Sequence, residues 1–339
     1  MRHYDLSPVN LIDGNQYFNA SIYQDRTGFM MAYRAAEGIG NCRLALHPLK
    51  FKDNQYSFTD DKSMILSIPA IRKNDRMVCE DPRVFRFQDR MWVAFTYIDV
   101  DNECQSQGIA PLHDVRGDEM LLNPTFINYQ DNINGSNTPE YVKEGNLVTV
   151  RLEFPVKMEK NWQFFENRGQ LNFIYLANPM HEVVTLNDDM SVQKVHRTRN
   201  NIRWPFGWIR GGTPPLVFDS DHYITFFHSC FRPPQDGWSK HEVYNSCYVM
   251  GAYLFERKAP YRIKFITARP LMVGDFNDPN VMSNTDRHYS LWGNAVVYPC
   301  GALFSSRGFD VSMGYNDYKI KIASFGYEEL GREFRKIVV

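Results

Sequence analysis

The feature that most constrains the fold is one hairpin-like pattern that occurs five times along the chain. Each copy has a short segment with polar, Gly or Pro residues, then a turn rich in Asp, Asn, Ser or Gly, then an apolar β-prone run. The copies lie at residues 19–34, 80–97, 160–176, 211–228 and 299–315. Repetition of one β unit is typical of sheets arranged around an axis. We therefore predict an all-β chain that forms a single five-bladed β-propeller domain over residues 1–339 with a central funnel.

Length and apolar content are compatible with this prediction. The 339 residues are 43% hydrophobic, which is enough for a large core, and all-β domains often run this long as one unit. A two-sheet sandwich is the rival architecture, but it has no need of the same signature five times. Helical periodicity is confined to a short segment near residues 327–336.

Charge and aromatic content indicate which kinds of molecule the chain can bind. Lys and Arg number 38 against 39 Asp and Glu, and a chain without a basic stretch is not expected to bind nucleic acid. Aromatic residues make up 14% of the chain. Flat rings pack well in strands, and they also stack on sugar rings.

Cysteines and hydropathy predict the compartment. Six cysteines occur without a CxxC pair, so neither a zinc site nor a disulfide framework is expected. The first residues lack the apolar core of a secretory signal, and no apolar stretch reaches the roughly 18 residues of a membrane span. We expect a cytoplasmic protein without membrane contact, metal or organic cofactor, and homo-oligomerisation stays open. The acidic segment 99–103 does not have the spacing of a calcium loop and is interpreted as a solvated turn.

Polar residues recur at equivalent places in the hairpins. A propeller brings such positions together at its axis, so they should form one site. They are Asn19, Asp81, Lys160 and Thr213 where hairpins open, with Arg34, His228 and Asp317 near strand ends. Each also has a structural explanation. Asp81-Pro82 is a common turn pair, Arg83 can pair with Glu80, His228 can be a core histidine, and Gly211-Gly212 can supply positive φ.

Several of these segments resemble one enzyme family in the order of its motifs. Glu80-Asp81-Pro82-Arg83 followed by an aromatic strand resembles the signature of glycoside hydrolase family 130, which contains β-mannoside phosphorylases and β-mannosidases on five-bladed propellers. The other matching elements are Asn19 with Arg34, Gly211-Gly212-Thr213-Pro214-Pro215 with His228, and Gly314-Tyr315-Asn316-Asp317. Residues 160–162 and 209–214 are similar to the related glycosyltransferase family 108, which makes β-1,2-mannan.

The resemblance implies roles for individual residues. Asp81 would be the general acid, and phosphate or a sugar phosphate would be the co-substrate. The residues implied to contact the sugar are Asn19, Arg34, Arg83, Asp99, Asp317 and Tyr315. Those implied to bind the anion are Lys160, Arg210 and His228. One position departs from the family, because Asn178 stands where family phosphorylases have a second Arg.

These roles predict inverting phosphorolysis of β-mannosides, or its reverse, in a central catalytic funnel. An inverting phosphorylase needs one acid because phosphate is itself the nucleophile, whereas an inverting hydrolase needs two carboxylates. Three interpretations stay open from the sequence: a phosphorylase, a β-mannosyltransferase or β-mannoside hydrolase, and a non-catalytic glycan-binding propeller.

Overall fold

The computed structural model describes twelve segments of the chain. They are residues 1–6, 16–36, 42–67, 77–99, 104–112, 119–122, 124–127, 140–144, 147–151, 160–231, 247–275 and 295–337. Nearly all of them are β-strands, of which β1 (Arg2–Leu6) comes first.

Five sheets of four or more strands are built from the described residues, and we number them in chain order. Sheet 1 contains β2 (Gln16–Gln24), β3 (Phe29–Ala36), β4 (Cys42–Lys52), β5 (Gln55–Phe58), β6 (Met64–Ser67) and β10 (Glu119–Leu121). Sheet 2 contains β7 (Met77–Phe87), β8 (Arg90–Asp99), β9 (Cys104–Pro111) and β11 (Thr125–Ile127). Strands β12 (Glu140–Glu144) and β13 (Leu147–Arg151) pair separately.

The second half of the chain forms the other three sheets. Sheet 3 contains β14 (Gln163–Asn167), β15 (Gln170–Leu176), β16 (Met180–Leu186) and β17 (Val192–Arg199). Sheet 4 contains β18 (Trp208–Gly212), β19 (Leu216–Val217), β20 (His222–Phe231), β21 (Cys247–Glu256), β22 (Ile263–Thr267), β23 (Met272–Val273) and β27 (Phe334–Lys336). Sheet 5 contains β24 (Val297–Ser305), β25 (Gly308–Tyr315), β26 (Lys319–Gly326) and β1.

The five predicted hairpins are all present. They are β2–β3, β7–β8, β14–β15, the β18/β19–β20 pair and β24–β25, and each is antiparallel. The short helical segment is also present, as α1 (Tyr327–Glu333), but it ends before Lys336 because β27 pairs with β22.

Apolar residues lie on both faces of the sheets, because each sheet packs against two neighbours. In β20, Ile224 and Phe226 belong to the cluster between sheets 4 and 5, whereas Tyr223 and Phe227 belong to the cluster between sheets 3 and 4. Successive side chains of a strand point to opposite faces, so a continuous apolar run serves two interfaces. Similar clusters join sheets 1 and 2, sheets 2 and 3, and sheets 5 and 1.

The ring of sheets closes between the two ends of the chain. Strand β1 pairs with β26, so the N-terminal residues complete sheet 5 before the chain enters sheet 1. The Ile22 amide donates to Ser312 Oγ at 2.8 Å, and that hydroxyl donates to the Ala20 carbonyl at 2.6 Å. The first strands β2, β7 and β24 contact one another at the centre. The propeller prediction is confirmed, and the five sheets agree with the predicted blade number. Within the segments that the structure describes, no helix is long and apolar enough to cross a membrane.

Candidate active site

The first strand of most sheets is irregular at an equivalent place near the axis. Register shifts lie between Phe18 and Ser21 in β2, Glu80 and Arg83 in β7, Arg210 and Gly212 in β18, and Pro299 and Gly301 in β24. In sheet 3, Asn161 lies just before β14 with a φ of 69°, and Asn19 and Asp81 share this left-handed backbone with φ values of 51° and 55°. Asn and Asp adopt that conformation more readily than other non-glycine residues. Bulges therefore redirect the side chains of Asn19 and Asp81, and Asn161 has the same left-handed backbone at the residue pair before β14.

The redirected side chains meet at Asp81. Asn19 Nδ2 donates to Asp81 Oδ1 at 2.6 Å, and the Tyr298 hydroxyl lies 2.8 Å from Asp81 Oδ2. The same hydroxyl contacts Asn161 Oδ1. Asp81 is 5% exposed, so four sheets supply a buried polar cluster around one carboxylate. We call Asn19, Asp81, Asn161 and Tyr298 the axial cluster.

Arg83 donates hydrogen bonds to three members of the axial cluster. Its guanidinium donates to the carbonyls of Gly212 at 2.7 Å and Asp81 at 2.9 Å. It also donates to Asn161 Oδ1 at 3.2 Å and to the Tyr298 hydroxyl at 3.1 Å. The residue is 1% exposed. Its donors bind protein groups, and these four bonds stand where pairing with Glu80 was the alternative. The sugar contact of Arg83 stays a prediction.

Glu80 pairs instead with Arg34 from sheet 1. Arg34 Nη2 lies 2.6 Å from Glu80 Oε1, and Arg34 Nη1 lies 3.9 Å from Asp81 Oδ1. Arg34 Nε and Nη2 also lie 3.2 Å from Cys42 Sγ. The Arg34 guanidinium is thus held beside two carboxylates at the edge of the axial cluster.

The carboxylates differ in proton affinity. Burial alone would raise the pKa of Asp81, but Arg34, Arg83 and the Asn19 hydrogen bond outweigh it, so the pKa lies below its usual value. Burial raises the pKa of Glu80 despite Arg34. The pKa of Asp317 is also raised, because desolvation and the charges of Asp81 and Glu80 outweigh the opposing charge of Arg34. Asp317 is exposed in the turn between β25 and β26, so solvent screens part of this effect.

His228 lies beside the cluster but does not have the predicted cationic character. The residue is 1% exposed, its ring centroid is 4.4 Å from that of Tyr298, and Nδ1 donates to the Gly211 carbonyl at 2.5 Å. Burial, followed by Arg83 and Arg210, lowers its pKa to about 3. With Nδ1 protonated in the neutral ring, Nε2 can only accept. His228 is therefore a neutral acceptor in this structure, and its contact with an anion stays a prediction.

The two remaining predicted anion ligands lie around the cluster. Lys160 is half-buried and close enough to lower the pKa of both Glu80 and Asp81. Arg210 is exposed and opposite His228 in the β18–β20 register. The sequence pattern placed Lys160 at the opening of the third hairpin. The residue with the left-handed backbone there is the next one, Asn161, and its side chain joins the axial cluster.

Other predicted residues have different surroundings. Tyr315 is buried in the apolar cluster between sheets 4 and 5, with Lys321 Nζ 3.7 Å from its ring centroid. Its sugar contact stays a prediction. The side chain of Asp99 and residues 100–103 lie outside the described residues. Asn178, the uncharged residue in place of an Arg, forms a cis bond to Pro179 at the end of β15.

Gly211 and Gly212 are required for close approach rather than positive φ. A Cβ on Gly211 would overlap the Asn161 carbonyl, and one on Gly212 would overlap the Phe226 carbonyl. Gly314 is equivalent in purpose, since a Cβ there would overlap Asn19 Oδ1. Gly211 and Gly314 thus allow neighbouring sheets to approach closely, and Gly212 allows β18 to lie close to β20 within sheet 4.

Sequence reasoning missed Tyr298 and the inward position of Asn161. Tyr298 directly precedes the fifth copy of the pattern as we delimited it, and a polar aromatic residue at that boundary was the available signal. Among the residues with described side chains, no group of three or more His, Cys, Asp or Glu could hold a metal ion.

Solved structures resemble this fold, although no protein-family model and no curated protein matches the sequence. The β-1,2-mannobiose phosphorylase from Listeria innocua, solved with β-1,2-mannobiose, matches with a TM-score of 0.56. That match covers 98% of this chain and 99% of the other at 14% identity. The chain has the β-propeller fold. A glycosyl hydrolase from Bacteroides ovatus matches with a TM-score of 0.51 at 16% identity, covering 93% of this propeller and 85% of that chain.

Proposed function

We propose that this propeller catalyses reversible, inverting phosphorolysis of β-mannosides, with Asp81 as the proton-transferring residue. The observation that carries the proposal is the buried Asp81 carboxylate at the meeting point of the sheets, held by Asn19 and Tyr298 and flanked by Arg34. Likeness in fold to a β-1,2-mannobiose phosphorylase supports the choice of substrate class.

The chemistry requires one displacement at the anomeric carbon. A phosphate oxygen forms a bond to that carbon while the bond to the leaving oxygen breaks, and the leaving oxygen takes a proton that originates at Asp81, directly or through a sugar hydroxyl. The products are α-mannose 1-phosphate and the shortened acceptor. In the reverse direction ionised Asp81 accepts the proton of the acceptor hydroxyl. Because the pKa of Asp81 is lowered, its carboxylate is ionised in the resting site, which is the form that the synthesis direction requires.

Cations near Asp81 are needed to hold a phosphate group in line. Lys160 is the half-buried cation in the predicted anion set, and Arg34 lies beside Glu80. Arg34 is already paired, so Lys160 is the cation that we assign to phosphate.

Hydrolysis is the second candidate, and a specific observation favours it. Asp317 is a second carboxylate whose pKa is raised and on whose charge Arg34, Asp81 and Glu80 act. His228 is neutral and Asn178 carries no charge, which weakens the anion site. Inverting hydrolases use such a pair of carboxylates, one to protonate the leaving group and one to activate water.

Phosphate dependence separates the candidates. The full chain is incubated with β-1,2-mannobiose with and without inorganic phosphate, and mannose and mannose 1-phosphate are quantified. Release of phosphate from α-mannose 1-phosphate with mannose or mannobiose as acceptor is measured in parallel. We expect mannose 1-phosphate only when phosphate is added. Mannose release that is indifferent to phosphate would establish hydrolysis, and turnover only with nucleotide-activated mannose would establish a transferase. Binding of mannosides without turnover would indicate a non-catalytic glycan-binding propeller.

Replacement of Lys160 by Met should raise the KM for phosphate about 10- to 100-fold, because one charge-assisted hydrogen bond is worth about 1.5–3 kcal/mol. The KM for the mannoside should change little, since Lys160 is assigned to the anion. Initial rates at varied phosphate measure the effect. Lys194→Met, an exposed lysine on the outer strand β17, is the matched control, and an equal rise in the two variants would contradict the assignment.

A further inference from the structure

The Tyr298 hydroxyl has more acceptors within reach than it has protons. It lies 2.8 Å from Asp81 Oδ2 and also contacts Asn161 Oδ1, and it accepts from Arg83 Nη2 at 3.1 Å. A phenol has one proton to donate and two lone pairs that accept. It can therefore donate to Asp81 or to Asn161, and not to both at once.

The ring of Tyr298 is held while its hydroxyl is free to turn. The residue is 8% exposed, its ring lies 5.5 Å from Arg83 Cζ on one side, and the His228 ring lies 4.4 Å away. Tyr298, Asp81 and Asn161 come from sheet 5, sheet 2 and the start of sheet 3. Rotation about the C–O bond of the phenol alone exchanges one acceptor for the other, without movement of a strand.

We propose that Tyr298 is the positioning residue of Asp81, donating to Asp81 Oδ2 when that carboxylate is ionised and to Asn161 Oδ1 when Asp81 carries a proton. In the second arrangement the protonated Asp81 donates to the phenol oxygen, which also accepts from Arg83. The phenol keeps its proton in both states, and the proton that Asp81 gains or loses is exchanged with the sugar. The catalytic consequence rests on the proposed function, whereas the hydrogen-bond exchange does not.

The surroundings agree with a phenol that does not ionise. Burial, followed by the charge of Asp81, raises the pKa of Tyr298 well above its usual value. The charged or titratable groups that act on Asp81 or on its neighbours in the cluster are Arg34, Arg83, Lys160, Glu80, Asp317, His228, Cys42 and Cys300. Removal of the phenol donor destabilises the ionised form of Asp81 more than the protonated form. The pKa of Asp81 should therefore rise by about one unit.

Tyr298→Phe in the full chain tests this exchange. Ionisation of Asp81 should lower the rate of phosphorolysis at high pH and raise the rate of synthesis from low pH. In Tyr298→Phe both of these limbs of the pH–rate profiles should move to higher pH by about one unit. We expect kcat at the parent optimum to fall about 10-fold with little change in the KM for the mannoside. Tyr253→Phe removes another buried phenol, whose hydroxyl lies 3.5 Å from His181 Nε2 in the cluster between sheets 3 and 4, and should leave both limbs in place.

A second variant should shift the two limbs of the pH–rate profiles in the opposite direction. 3-Fluorotyrosine introduced at position 298 keeps the hydroxyl and the ring, and the fluorine makes the phenol a stronger donor. Both limbs should then move to lower pH. Shifts of the same sign in the two variants, or no shift in either, would overturn the proposal.

The dependence of stability on pH tests the contact without catalysis. Because the folded pKa of Asp81 is lowered, its ionised form stabilises the protein above the unfolded pKa, and this contribution is lost as pH falls through the folded pKa. In Tyr298→Phe the loss should be smaller and should be complete at a higher pH, because the folded pKa of Asp81 lies nearer its unfolded value. In an Asp81→Asn background Tyr298→Phe should leave the pH profile unchanged. The expected stability shift without mannoside turnover would reject the proposed function alone. Phosphate-dependent turnover without either shift would reject the role of Tyr298 alone.

Discussion

Replacement of Asp81 by Asn should lower kcat about 10²- to 10⁴-fold, the usual contribution of a positioned acid or base. Asn tolerates the left-handed backbone at this position, where φ is 55°, and its carbonyl oxygen can still accept from Asn19 or Tyr298. It has no proton to exchange in the required range. The KM for the mannoside should change little, because proton transfer acts chiefly in the transition state.

The matched control is Asp89→Asn in the turn of the same hairpin. Asp89 also has a left-handed backbone, with a φ of 57°, but it is exposed. Steady-state rates of phosphorolysis and synthesis are compared for the parent and both variants at a temperature where all three are folded. Parent-level turnover by Asp81→Asn would require the catalytic assignment to be abandoned.

Replacement of Arg83 by Met should lower the free energy of unfolding by about 3–5 kcal/mol, because it leaves buried acceptors unsatisfied and removes a charge that favours ionised, buried Asp81. Four hydrogen bonds disappear at once, and the acceptors that lose them are the Gly212 and Asp81 carbonyls, Asn161 Oδ1 and the Tyr298 hydroxyl. A fall of this size is a large part of the stability of an ordinary domain. Urea denaturation followed by circular dichroism measures it.

Two further variants locate the cause of that loss. Arg83→Lys keeps the charge but cannot reproduce the planar fork that reaches four groups, so most of the destabilisation should persist. Arg86→Met alters an exposed arginine on the same strand and should change the free energy of unfolding by less than about 0.5 kcal/mol. Equal effects of Arg83→Met and Arg86→Met would show that the buried contacts contribute nothing specific.

Local pattern was sufficient for the strands and hairpins. The turn at residues 25–28 is formed by Asp25, whose side chain accepts from the Thr27 amide at 2.7 Å, as expected of an Asx turn. The apolar run at residues 223–227 predicted a strand and forms one. Such features depend on residues that are close in the sequence, so turn chemistry and side-chain alternation specify them.

Individual roles at the axis were predicted less well, because burial and partners there depend on other sheets. Arg83 belongs to a recognisable motif, yet Gly212 and Tyr298 decide that it binds protein groups. His228 was predicted to bind an anion, yet burial makes its ring neutral and its Nδ1 donates to the Gly211 carbonyl. Neither outcome is visible in the residues on either side.

The sequence by itself determined the β-hairpins, their order and the presence of polar side chains where each hairpin opens. Only the tertiary structure decided which of those side chains meet. Tyr298 reaches Asp81 across 217 residues of chain, because pairing of β1 with β26 closes the ring and brings sheet 5 beside sheet 1. Hydrogen bonds and charges act over a few ångströms, so their partners are set by ring closure and by bulge geometry rather than by distance along the sequence.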